Sequence, residues 1–319
     1  MNERDRPQET GQIEYKDALR IMDQLGKVVK KTGEDILEFR EEIKDTGIFH
    51  GHETSSVDVF ARARVIHHLD TLLGEIEGVR RFELNPYEIV YLQGHPNHKS
   101  NKRYFLIIDE LDGTTNTKRA LASKLNYRPQ AAVSIAISLT EKLADLQVGA
   151  LYEFHTDEVY SAMKVGENFL AYRGSQQIRP WEIEETRGDS APRVLVVGYS
   201  NNKRAEKAQI EEALVKDCSF RVYDGCRASS VDIMNVINGQ YDAYIDPRAL
   251  WGSQGGAMLE AYDIGAVILI ALGTGLKVSD IHNQWWGNYT GDDQIPLVVA
   301  RTAIHQKIIE TIQPLISKD

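Results

Sequence analysis

Cysteine is nearly absent: two residues, Cys218 and Cys226, in a chain of 319. That excludes a disulfide framework, and their spacing excludes a zinc knuckle, so reduced thiols in a cytoplasmic protein are expected. No apolar run approaches the length needed to span a bilayer; the one at 265–272 is far too short. The N-terminus is charged and has no apolar core of a signal peptide. Basic residues are in deficit, with 37 Lys and Arg against 47 Asp and Glu and a net charge of −10. Broad nucleic-acid binding, which needs basic patches to neutralise phosphate, is thereby excluded. Neither nucleic acid nor membrane is expected as a partner.

What is present centres on 109–116, DELDGTTN, entered from the apolar run YFLII at 104–108. The run reads as a buried strand that delivers two carboxylates, Asp109 and Asp112, at its C-terminal end. Gly113 permits a tight turn, and Thr114 and Thr115 offer hydroxyls while opening a helix with unpaired N–H groups. Oxygen ligands suit hard divalent cations, and a helix N-terminus suits phosphate.

Before this motif, periodicity predicts a helix over 13–44 and a second over 57–77. Asp58 opens the second helix, where a carboxylate is electrostatically favoured in any case. Strands are expected at 79–84 and 87–92, carrying Glu83 and Glu88. After the motif, alternating segments at 132–139, 147–152, 158–162 and 168–172 predict an antiparallel meander.

A polar stretch at 182–192 marks a boundary between an N-terminal α+β domain (1–185) and a C-terminal α/β domain (186–319). Beyond it, strands are expected at 193–197, 220–223, 241–245, 267–272, 276–279 and 297–300. Helices are expected at 203–215, 229–237, 256–262 and 303–312, the last broken by Pro314.

The segment IIDELDGTTN at 107–116 resembles the D-P-I-D-G-T-T-N signature of the inositol monophosphatase family of lithium-sensitive, magnesium-dependent phosphatases. SSVD at 55–58 resembles its T-x-x-D segment, GQYDAYID at 239–246 its G-x-x-D-A-Y strand, and DIGAV at 263–267 its E-A-G-G-V turn. The resemblance runs from about residue 15 to the end. It implies a layered α-β-α-β-α sandwich of the inositol monophosphatase and fructose-1,6-bisphosphatase type, a homodimer, and hydrolysis of a small sugar or inositol phosphate.

Residue by residue, the resemblance implies Mg²⁺, with Mn²⁺ as an alternative, on Asp109, the Leu111 carbonyl and Asp112. Asp58 and Thr114 would orient and activate water. The family's Glu-Glu pair is missing; the count from Asp58 gives Glu83 as the further metal ligand, and Glu88 is the alternative. An ungapped count from Asp246 puts Ser253 where the family has its last metal aspartate. Gly113, Thr115, Arg227, Asp246 and Ser253 are the expected substrate-side residues. Arg227 stands where the family has a glycine, and either binds phosphate or closes the pocket. These departures leave a second expectation open: a weak or inactive family member that binds or regulates.

Overall fold

The computed structural model describes residues 13–49, 52–73, 89–93, 103–123, 127–179, 191–198, 203–255, 258–290 and 293–316. Helix α1 spans Tyr15–Leu37 and buries Ala18, Met22, Leu25, Val28, Val29 and Ile36, the three-to-four spacing of a single apolar face. It stops short of the predicted end: 38–44 run as a connection, Lys44 accepting from the Ser56 N–H, into a small hairpin, β1 (Asp45–Phe49) and β2 (His52–Ser55). Helix α2 follows at Ser56–Leu73.

Seven strands form one antiparallel sheet in chain order: β3 (Ile89–Gln93), β4 (Arg103–Asp112), β5 (Ala132–Ser138), β6 (Leu146–Glu153), β7 (Glu158–Val165), β8 (Asn168–Arg173) and β9 (Gln176–Ile178). The short helix α3 (Thr114–Ala122) leaves the end of β4. The expected meander is therefore present, and the 104–108 run is its second strand. Strands proposed at 79–84, and the acids Glu83 and Glu88, lie outside the described residues.

The second sheet contains β10 (Arg193–Val196), β11 (Arg221–Tyr223), β12 (Ala243–Asp246), β13 (Lys277–Asp280) and β14 (Leu297–Ala300), ordered β11-β10-β12-β14-β13. Its helices are α4 (Arg204–Cys218), α5 (Ser229–Ile237), α6 (Ala261–Gly273) and α7 (Thr302–Ile316). The strand expected at 267–272 is instead the interior of α6. A short all-apolar run carries no period that separates strand from helix. Here the apolar stretch belongs to a 13-residue helix buried almost all round. Pro314 also fails to end α7, which reaches Ile316. Near a C-terminus, proline forfeits one backbone bond while its φ remains helical.

The layers follow from period-two alternation. Leu106 and Ile108 of β4 point to α1 and α2, in a core with Leu25, Val28 and Leu69. Ile107 points the other way, to a layer shared with Val231 and Met234 of α5, Ile268 of α6 and Tyr244 of β12. Val194, Val196 and Ile245 face outward from the second sheet to Leu214 of α4 and Ile308 of α7. The sequence of layers is thus α-β-α-β-α, as expected. Gly149 of β6 lets α6 pack closely on the large sheet: a Cβ there would lie 3.0 Å from the Ala266 Cα.

Candidate functional site

The DELDGTTN segment lies where β4 leaves the large sheet. Asp109 pairs with Ser134 and Asp112 with Ala132, so β4 carries one residue more than β5 across this step. Such a bulge kinks a strand and redirects side chains. It leaves Glu110 and Leu111 outside the regular ladder, between the paired Asp109 and Asp112. Asp109 is buried, with Oδ1 accepting from the Leu111 N–H at 3.1 Å. Gly113 then takes φ +86°, and a Cβ there would come within 2.7 Å of the Gln130 carbonyl oxygen. The turn both requires a left-handed residue and leaves no room for a side chain.

Thr114 begins α3, and its hydroxyl donates to Asp58 Oδ1 at 2.7 Å while lying 3.2 Å from the Leu111 carbonyl oxygen. The other oxygen of Asp58 accepts from the Ser55 N–H at 2.7 Å and the Ser55 hydroxyl at 2.8 Å. One oxygen of Asp58 thus holds the start of α2, and the other meets Thr114. Thr115, in the same first turn, is exposed.

The second sheet closes the site from the other side. Asp112 Oδ2 accepts from the Ser230 N–H at 2.7 Å and the Ser230 hydroxyl at 2.5 Å, both in the first turn of α5. Asn116 donates to the Gln130 carbonyl at 2.8 Å and to the Cys226 carbonyl at 2.9 Å, tying the loop before α5 to α3. Asp232 accepts the Cys226 N–H with both oxygens, at 2.9 and 3.0 Å. Following Cys226, which is held at both its N–H and its carbonyl, Arg227 takes φ +66°, the left-handed conformation a glycine would adopt freely, and its side chain is exposed.

Asp246 does not reach the site as a presented ligand. It is wholly buried, and its carboxylate is bonded by Arg248 and by the Tyr244 hydroxyl. Ser253 falls in a 3-10 stretch, Arg248–Gly255, and its side chain lies outside the described residues. Asp263 is in the first turn of α6, not in the turn that ends it. DIGAV at 263–267 is accordingly helix rather than turn, and the left-handed glycine after α6 is Gly275.

The ungapped count sets Asp263 at the glutamate of the E-A-G-G-V match and Ser253 at the last metal position, yet Asp263 shares its field with Asp112. Burial pushes Asp263 up to about 8, with the Asp112 charge adding and Arg248 opposing. Burial likewise raises Asp112, against its bonds from Ser230, and pushes Asp232 up to about 7 with help from Asp112 and Asp246. Crowded carboxylates of this kind are relieved by a cation. Glu110 is turned away, paired with Arg62 of α2 at 3.3 Å. Among the described residues, no group of three or more His, Cys, Asp or Glu side chains already converges on one point.

The chain is 25% identical over 308 residues to a fructose-1,6-bisphosphatase/inositol-1-monophosphatase of Archaeoglobus fulgidus, covering 94% of this chain and 100% of that protein. It superposes on an IMPase from Thermotoga maritima with a TM-score of 0.61 at 14% identity, covering 93% of this chain and 98% of that one. An IMPase/NADP phosphatase complexed with Mg²⁺ and phosphate gives 0.62 at 17% identity, covering 93% and 96%. The sequence model of the inositol monophosphatase family matches residues 63–317, and the chain belongs to that family.

Proposed function

We propose that the protein is a Mg²⁺-dependent phosphomonoesterase acting on a small sugar or inositol phosphate. The observation that carries this reading is the Thr114–Asp58 hydrogen bond set beside the Asp109–Leu111–Asp112 bulge. The donor set fits a hard divalent ion: carboxylates and a carbonyl, crowded and raised by burial. Asp109, the Leu111 carbonyl and Asp112 would hold it, with Asp263 and Glu83 as further acids. Bound there, Mg²⁺ or Mn²⁺ supplies Lewis acidity toward a phosphoryl oxygen and offsets the charge of the ester.

The chain's own residues perform the rest. Thr114 gives its hydroxyl hydrogen to Asp58, so its oxygen keeps lone pairs to accept from an attacking water. Asp58, anchored by Ser55, fixes that orientation and draws the proton. Backbone N–H groups at Gly113, Thr114 and Thr115 favour the phosphate at the α3 N-terminus. Arg227, exposed just before α5, would meet the remainder of the substrate or a second anionic group. The family resemblance supports a homodimer.

The test is release of inorganic phosphate from inositol phosphate, fructose bisphosphate, adenosine bisphosphate and histidinol phosphate, each with Mg²⁺ or Mn²⁺. Turnover of one or more is expected. Silence on the whole panel with either metal would favour the second reading, a family member that binds without hydrolysing. The sealed Asp246 and the arginine at 227 are the observations on which that reading stands.

A further inference from the structure

Arg248 follows β12 and folds back on Asp246. Arg248 is 3% exposed and Asp246 0%. Its Nε lies 2.9 and 3.1 Å from the two carboxylate oxygens, its Nη2 2.6 Å from Oδ2, and its backbone N–H 3.1 Å from Oδ1. The Tyr244 hydroxyl adds a fourth donor group at 2.9 Å from Oδ2. Nη2 also reaches the Ser229 hydroxyl at 3.3 Å, and the next residue, Ser230, is the one that holds Asp112. A permanent positive charge therefore stands one residue of α5 away from a site carboxylate.

Burying an ion pair costs both partners their hydration, and well-packed apolar residues are commonly as stable. Stability alone is a poor reason for this pair. We propose that Arg248 is a built-in cation of the acidic cluster. It neutralises Asp246 and withholds that carboxylate from divalent ions, so the site holds fewer of them than its acids would otherwise bind. Arg248 is in this sense a positioning residue, one that sets ion number and not one that touches substrate. The inference rests on the reading of Asp109, Leu111 and Asp112 as ion ligands.

The test is Mn²⁺ binding to the full chain, without substrate, by calorimetry and equilibrium dialysis. R248M uncovers Asp246 and should bind Mn²⁺ about tenfold more tightly or take up a further ion per chain. The double variant D246N/R248M removes both charges with near-isosteric groups and should return to within roughly threefold of wild type. Unchanged binding in R248M would overturn the inference. So would weakened binding in the double variant, since Asp246 would then be a ligand in the wild type. If R248M melts without cooperativity in buffer, recovery of a cooperative transition on adding Mn²⁺ supports the inference. Without that recovery, the double variant decides by the same criterion. A wild type that releases no phosphate but shows the R248M gain keeps this inference and loses the phosphatase reading. An active wild type without that gain does the reverse.

Discussion

Thr114 of α3 donates its hydroxyl hydrogen to Asp58 of α2 across 2.7 Å, joining two segments that the large sheet and its helices bring together. The bond assigns a direction to the pair, hydroxyl as donor and carboxylate as acceptor, and in the proposed reaction the hydroxyl relays the proton of water. T114A and D58N should each lower kcat by about two to four orders of magnitude while the melting temperature shifts little. T114S, which keeps the hydroxyl, should retain most of the activity. Phosphate-release kinetics check all three, and near-normal turnover by T114A would remove the relay.

Asp263 and Ser253 make competing claims on the last ion-ligand position. D263N should weaken Mn²⁺ affinity about tenfold or more, whereas S253A should leave it within about threefold. Calorimetric titration reads both, and the opposite ranking would restore the ungapped register.

Arg227 occupies a left-handed conformation at φ +66°. A non-glycine residue there costs about 1–2 kcal/mol, so R227G should raise unfolding stability by about 1 kcal/mol, measured by urea denaturation. The same substitution should raise KM by about one to two orders of magnitude, the loss of a hydrogen bond to a charged group. Higher activity in R227G would instead show that the arginine obstructs the pocket.

His305 of α7 is wholly buried, with Nε2 2.8 Å from the Ser279 hydroxyl and Nδ1 without a hydrogen-bond partner. Burial, with the Lys277 charge, lowers it to about 4. Its folded pKa is therefore below the unfolded value, and between about 6.5 and 4 the unfolded chain binds the additional proton. Stability from this group is present above pH 6.5 and is lost as pH falls toward 4. H305L should flatten that part of the stability profile in thermal melts taken across the window. An unchanged slope would assign the acid sensitivity to other groups.

Much of this was legible in the residues. Alternation in the meander, the three-to-four spacing of α1, and the strand-to-acid run into Gly113 each depend on local stereochemistry, which acts within a few positions. The motif at 107–116 and the cap at Asp58 were visible for the same reason. Decisions that needed a partner across the chain were not. The run at 267–272 carries no period of its own, and only its place between two sheets makes it helix. Asp263 gains its importance from Asp112, whose charge reaches it only in the folded chain. Asp246 matched the family strand by sequence, yet Arg248 two residues later encloses it. Which acids face a ligand and which are already neutralised depends on burial and on charges from distant segments, and those exist only once the layers have packed.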